Sequence, residues 1–368
     1  MEVMLRRCLF IFLVFCILIT LTSCFHFNEA NLDFLHDVKL TEMNVNSLHA
    51  YYLSENGTLY CAGADPDGGS YVLYQDKTKG IVAENVVSFS TMSVGGYYID
   101  RDQNLYIWSK DDLPIYGYKR KKHTLILENV LSASVDSRSM TYIDANCDLY
   151  YIGDWNSETY TLEQPMKIGS DAEKIVAVSN KSIVWLDTNG KIQFFGTTTD
   201  ENLLYIKDYF QDAKIQDITW ANEDSILVLT DGKLWFYGNY QYLTEGVGDS
   251  KTSKELKLLC ENVCSVSSNA WNALGALDSE NQFFVWGRCL TNDAEHIEEP
   301  EYEYVEKRLI SNCAKAIHLS GATISYIDVN GASHIYHSGG WIDFYGNSTN
   351  DKQVGINREP VTWIKPEK

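Results

Sequence analysis

A nine-residue pattern recurs along this chain and leaves few folds open to it: a polar turn, an apolar strand and a closing glycine. TDGKLWFYG at 230–238 is its sharpest copy. Others are ENGTLYCAG ending at Gly63, RDQNLYIWS at Ser109, ANCDLYYIG at Gly153, TNGKIQFFG at Gly196, SENQFFVWG at Gly287 and a blurred VNGASHIYH at His337. These seven units end about 42 to 50 residues apart, a spacing typical of stacked or radial repeats. Asn-Gly and Asp-Gly open the units because such residues tolerate the positive φ of a tight hairpin. The strands that follow are apolar on both faces, as in Leu105, Tyr106, Ile107 and Trp108, so each must be covered from two sides.

Upstream of each turn lie two further strands. ENVVSFS from Glu84, ENVLSAS from Glu128, AEKIVAVS from Ala172, AKIQDITW from Ala213 and ENVCSVS from Glu261 supply the first; GYYID, MTYID, SIVWLD, SILVLT and ALGALD supply the second. Short apolar runs at 124–127, 166–168 and 256–259 add a fourth. Placing such sheets radially packs each between its neighbours. The expected fold is all-β: a seven-bladed β-propeller of four-stranded blades over residues 38–368, closed by N- and C-terminal strands. Closure removes the unpaired edge of an open ring, and 361–364 is expected to share a sheet with the first unit. In the last unit the third strand is either 333–337 or 341–345.

Val285-Trp286-Gly287, Tyr237-Gly238-Asn239 with Gly246-Val247-Gly248-Asp249, and Tyr345-Gly346-Asn347 with Gln353-Val354-Gly355 resemble the regulator-of-chromosome-condensation repeat. In that family an aromatic-Gly pair closes each unit and a Gln-Leu-Gly-like turn follows. The likeness runs over 38–364 and extends to the alpha-tubulin suppressor-like seven-bladed propellers; Ser109 and His337 depart from it. It implies a propeller that binds protein partners through one face. No nucleotide-exchange residues carry over, because no matching motif is present.

Residues 1–23 read as a bacterial lipoprotein export signal. Arg6 and Arg7 precede an apolar run, 8–21, that is short for a bilayer span. Leu21-Thr22-Ser23-Cys24 resembles a lipobox, which makes Cys24 the expected lipidation site; a diacylglyceryl group supplies the two chains that stable anchoring needs. Residues 24–37 read as a tether. The expected location is the extracytoplasmic face of the cell membrane, and a monomer is expected.

The charge of −20 argues against nucleic acid as a partner, since phosphate binding requires clustered Lys and Arg. Six cysteines remain beyond the signal and Cys24: Cys61, Cys147, Cys260, Cys264, Cys289 and Cys313. Their scatter gives no disulfide framework, Cys260 and Cys264 are too far apart on one extended strand to pair, and free, buried thiols are expected. No CxxC pair, HExxH, G-x-S-x-G or phosphate loop occurs. His334 and His337 point to opposite faces of a strand, and Asp65-Pro66-Asp67-Gly68-Gly69 lacks the later acidic ligands of a calcium loop. No enzyme, cofactor or metal is expected.

The turns between first and second strands gather on one propeller face and differ from unit to unit. Asn46, Arg138, Lys181, Glu223, Asp224, Asn269 and Trp271 are the candidate binding residues there; their alternative reading is plain solvated turns. The acidic run at 293–306 reads as a solvated loop that would prefer a basic partner or a cation. The function expected is binding of an envelope or extracellular protein. A glycan-binding or glycan-cleaving protein is the alternative, with Tyr97, Tyr98, Trp271, Trp341 and Tyr345 as stacking platforms.

Overall fold

The computed structural model describes residues 38–45, 49–63, 80–92, 95–109, 123–136, 138–155, 160–178, 182–196, 200–222, 225–245, 254–269, 273–290, 302–320 and 323–337. Within them the chain forms seven antiparallel sheets, each a simple up-and-down meander. The first is Leu40–Val45, His49–Ser54, Leu59–Gly63 and Ile81–Ala83; the second is Val86–Met92, Gly95–Asp100, Leu105–Ser109 and Thr124–Leu127. The third is Val130–Val135, Ser139–Asp144, Leu149–Trp155 and Tyr160–Gly169; the fourth is Ala172–Val178, Ser182–Asp187 and Ile192–Gly196. Blade five is Ile215–Asn222, Ser225–Thr230, Lys233–Gly238 and Glu255–Cys260; blade six is Val263–Ser268, Ala273–Asp278, Phe283–Leu290 and Tyr302–Ser311. Blade seven is Ala314–Ser320, Thr323–Asp328 and Ser333–His337, which settles the open register in favour of 333–337.

The two-faced apolarity of the strands is explained by seven core clusters, one at each blade junction. Tyr51, Leu53 and Leu59 of blade one meet Val86, Tyr98 and Trp108 of blade two; Ile99 and Leu105 meet Val130 and Met140 of blade three. The pattern continues around to the cluster that sets Ile327 of blade seven against Leu40, Met43 and Tyr52 of blade one. Each sheet thus buries one face against the blade before it and the other against the blade after it.

One hydrogen bond repeats seven times. The first residue of each blade donates its backbone N–H to the hairpin of the blade before: Val86 to Gly57, Val130 to Gln103, Ala172 to Cys147, Ile215 to Gly190, Val263 to Gly232 and Ala314 to Asn281, at 2.8 to 3.1 Å. The seventh, Leu40 to the Gly331 carbonyl at 3.2 Å, joins the first blade to the last. Each accepting residue lies at positive φ, which is why four of the seven are Gly. Most of these hairpins are held from inside by the carboxylate that ends the second strand: Asp144 Oδ1 accepts from the N–H groups of Asn146 and Asp148, both at 2.9 Å. Asp100, Asp187, Asp278 and Asp328 do the same.

Every first strand is bulged at its second residue. Leu40 pairs with Ser54 and Glu42 with Leu53, skipping Thr41; Val87, Leu131, Glu173, Gln216, Cys264 and Lys315 are skipped in the other blades. Each bulge bends the strand at the start of its blade and shifts the pairing beyond it by one residue; blades four and five carry a second shift, at Ile175/Ala177 and Trp220/Asn222.

Four-stranded blades are not universal. Where blade four would have its fourth strand stands a helix, α1, at Glu201–Tyr209. Asp200 caps it, accepting from Asn202 and Leu203, and Leu203, Ile206 and Phe210 bury against blades four and five. Those residues, spaced i, i+3 and i+7, are the helical period that a strand reading of this segment overlooks. The first blade draws all four strands from its own stretch of chain; the strand expected at 361–364, like Cys24 and residues 1–37, lies outside the described residues.

Candidate functional site

The two faces of the ring differ in kind. On one, which we term the hairpin face, second strands turn into third strands, and in five blades two residues link the fourth strand to the next blade: 84–85, 128–129, 170–171, 261–262 and 312–313. On the other, the loop face, first strands end and second strands begin, third strands end and fourth strands begin, and a short helix, α2, stands at Tyr240–Thr244; the stretch of sequence between a third and a fourth strand ranges from 156–159 in blade three to 64–80 in blade one. The large length variation in the chain falls on the loop face, where it does not disturb the inter-blade bonds.

The residues expected to bind are distributed unevenly with respect to this surface. Arg138 is exposed at the end of its turn. Asn269 is 8 % exposed, and its Oδ1 accepts from Ala273 N–H at 3.0 Å, so the carboxamide closes its own turn. Asn46, Lys181, Glu223, Asp224 and Trp271 lie outside the described residues. Of the expected stacking platforms, Tyr97 and Tyr98 are core residues, 9 % and 4 % exposed; the Tyr97 hydroxyl donates to the Ala133 carbonyl of the next blade at 2.7 Å. Their places on a second strand, covered by both neighbouring blades, preclude a stacking role. Trp341 and Tyr345 lie outside the described residues.

Other expectations resolve locally. Cys260 ends blade five and Cys264 lies in the first strand of blade six, so they occupy two strands rather than one. Cys61, Cys147, Cys260, Cys264 and Cys313 are free thiols, but only Cys61 is buried and Cys264 is exposed. His334 stacks on Tyr326 at 4.5 Å and lies 3.2 Å from Asp328. The end of the acidic run is strand, with Glu306 placed 3.7 Å from Lys257 and accepting from the Tyr240 hydroxyl at 3.4 Å. Among the described residues no group of three or more His, Cys, Asp or Glu side chains converges, and no described helix is long and apolar enough to cross a membrane.

The first strands surround the axis, and the residue after each bulge forms one level of the channel wall: Glu42, Ser88, Ser132, Lys174, Asp217, Ser265 and Ala316. Lys174 and Asp217 pair across two blades at 2.6 Å. Glu42 has no ion-pair partner among the described residues. Solvent reaches its carboxylate, yet protein walls it on most sides, and this enclosure pushes its pKa up from 4.5 to about 7. The folded state therefore holds a proton that the unfolded chain releases between those values, so stability falls as pH rises through that window. Glu42→Gln is expected to match the parent below pH 4.5 and to exceed it by about 1 kcal/mol at about pH 8, a figure reduced for screening by channel water. Denaturant unfolding at both pH values measures this; parallel curves at both would show that Glu42 is not enclosed.

A cleft of about 560 Å³ opens on the hairpin face between blades four and five, lined by Glu173, Lys174, Lys214, Gln216 and Asp231. Its charges are mixed and Lys174 is already paired. On α1, Leu204, Tyr205 and Tyr209 are 41 %, 40 % and 54 % exposed, and Tyr205 stacks between Tyr237, at 4.2 Å, and Tyr209, at 6.0 Å. These exposed rings replace the buried pair as the available aromatic surface.

With seven sheets ringed by shared cores, comparison with solved structures decides the fold family. The chain superposes on Prp20p of Saccharomyces cerevisiae with a TM-score of 0.55 at 15 % identity, covering 91 % of this chain and 89 % of that one. The fold is that of the RCC1-like propellers. Yeast RCC1 (Prp20) in complex with Kap60 gives 0.53 at 16 % identity, covering 80 % and 76 %, and human WBSCR16 gives 0.52 at 12 %, covering 77 % and 85 %. No known family profile or curated protein matches the sequence itself. The RCC1-like resemblance carried by the aromatic-Gly ends of the repeats thus holds at the level of fold.

Proposed function

We propose that this protein is a lipid-anchored, extracytoplasmic binding module that engages another protein at the cell envelope through its loop face. The observation that carries this reading is the confinement of large loop variation to one face of an otherwise repetitive ring, the arrangement by which a rigid scaffold presents recognition elements. The solved relatives add support: Prp20p is described by its binding to Gsp1p and histones, and yeast RCC1 was solved bound to Kap60. Leu21-Thr22-Ser23-Cys24 supports the anchor.

Crosslinking mass spectrometry on the full chain in its own membrane fraction tests the reading. Protein crosslinks through Lys181 and its neighbouring turns are expected, together with incorporation of a lipid label that Cys24→Ala abolishes. Retention of polysaccharide with no protein crosslinked would transfer the function to glycan binding, for which the exposed Tyr205 and Tyr209 are the favouring observation.

A further inference from the structure

Blade four has an outer edge unlike its neighbours'. Its sheet stops at the third strand, Ile192–Gly196, whereas blades one, two, three, five and six each bond a fourth strand along that edge. Helix α1 takes the fourth strand's place in the sequence but not its place in the sheet. Leu203, Ile206 and Phe210 pack between blades four and five, and among the described residues no backbone hydrogen bond joins the helix to 192–196.

The hairpin of blade four fixes which backbone groups are left over. Asp187 donates its N–H to the Lys191 carbonyl at 3.0 Å, and from there antiparallel pairs alternate between bonded and unbonded. Trp185 with Gln193 and Ile183 with Phe195 therefore exchange bonds, while Ile192, Phe194 and Gly196 turn N–H and C=O outward. Among the described residues none of these three makes a backbone bond beyond its own sheet. In blade two the matching residues, Leu105 and Ile107, pair with Leu127 and Thr124 of the fourth strand; in blade five Phe236 pairs with Lys257. Burial draws the same contrast. Ile107, Tyr151, Phe236 and Val285 are fully buried at the place where Phe194 is partly exposed. Ser109, Gly153, Gly238 and Gly287 are buried where Gly196 is exposed. Elsewhere in the ring a strand covers this edge, and blade four supplies none of its own.

We propose that the outer edge of blade four is the docking site for an extended segment of a protein partner, which adds to the sheet antiparallel to 192–196 as its fourth strand. Main-chain bonds to Ile192, Phe194 and Gly196 hold that segment, and its side chains fall alternately on the two faces of the blade. One face carries Phe195, packed toward blade three; the other carries Phe194, with Lys207 of α1 standing 4.4 Å from its ring centroid. The segment is accordingly apolar on both faces, as the ring's own fourth strand is at Leu125, Ile126 and Leu127, and it has no proline at the bonded positions. The edge lies on the rim of the ring rather than on either face, so this site stands or falls independently of the loop-face binding proposed above.

The test is amide hydrogen exchange on the full-length chain, with and without a synthetic peptide copying the fourth strand of blade two, residues 122–129, KHTLILEN. In the free chain the Phe194 amide is expected to exchange about 100-fold faster than that of Phe236, and saturating peptide to slow it by a similar factor. Fluorescence anisotropy of the labelled peptide then reads the pairing. N-methylation of one alternate set of its amides is expected to weaken binding by about tenfold or more, and of the other set by less than about twofold. Equal losses from both sets, or no binding at all, would overturn the proposal. A Phe194 amide already slow in the free chain would also overturn it, by showing the edge to be covered. Slowing only at high protein concentration would assign the cover to edge-to-edge pairing of two copies, and slowing at every concentration to a segment of the chain itself. Both readouts use the unmodified protein, so neither depends on a variant that folds.

Discussion

Gly153→Ala destabilises the propeller by about 4 kcal/mol, because two costs fall on one position. Gly153 ends the third strand of blade three at φ +122°, a conformation that L-residues resist. A Cβ there would also lie 2.3 Å from the Arg138 carbonyl oxygen and 2.6 Å from Ser139 Cα. Both are backbone atoms at the entry to the neighbouring strand, Ser139–Asp144, and cannot rotate aside. Two other glycines separate the terms. Gly232 has φ +70° but nothing nearer than 3.8 Å, so alanine there costs about 1 kcal/mol. Gly95 lacks the left-handed φ, yet its Cβ would come 2.1 Å from the Trp108 carbonyl, and the expected cost is about 3 kcal/mol. Denaturant midpoints rank the three; equal costs for Gly153 and Gly232 would rule out close strand approach as the cause.

Trp108→Ala is expected to lower stability by about 4 kcal/mol. The indole is fully buried between blades one and two, with ring centroids 6.1 Å from Tyr51 and 6.0 Å from Tyr98. The missing side chain of Gly96 makes room for it, since a Cβ there would fall 2.3 Å from the ring. Sheets on both sides hold the space open, so it cannot collapse around a smaller residue. Tyr209→Ala, an aromatic change at a half-exposed site, is the control and stays within about 0.5 kcal/mol. Thermal melting measures both, and a loss at Trp108 no larger than the control would mean that the junction of blades one and two is loosely packed.

Most of the fold was legible because the same physical demand recurs in every unit. A residue at positive φ must accept the bond from the next blade, so Gly recurs in the hairpins; a strand packed between two blades must be apolar on both faces, so LYIW and LWFY mark the third strands. Ser109 shows where the pattern loosens. It pairs with Gly95, whereas Gly153 and Gly287 pair with Ser139 and Ala273. In blade two the small residue has moved to the partner strand, so the departure from the repeat is a relocation of the same steric relief.

The site was less legible, for equally physical reasons. Tyr97 and Tyr98 looked like platforms because a sequence does not reveal that both faces of a second strand are taken. Asn269 looked like a recognition residue, yet its carboxamide closes the local turn. Helix α1 was written in the Asp200 cap and the spacing of Leu203, Ile206 and Phe210, and the expectation of a strand at that place in the repeat concealed it. Glu42 gave no local signal at all, since its isolation arises from the blades opposite it.

The bond from Leu40 to Gly331 has a consequence for how damage spreads. A linear stack of repeats has two end units, each with one neighbour missing, and needs polar caps to shield them. Here the first and last blades are neighbours in the same sense as any other two, so neither is an end. A cavity of given size should then cost much the same in blade one as in blade four, and tolerance to mutation should show no gradient along the chain.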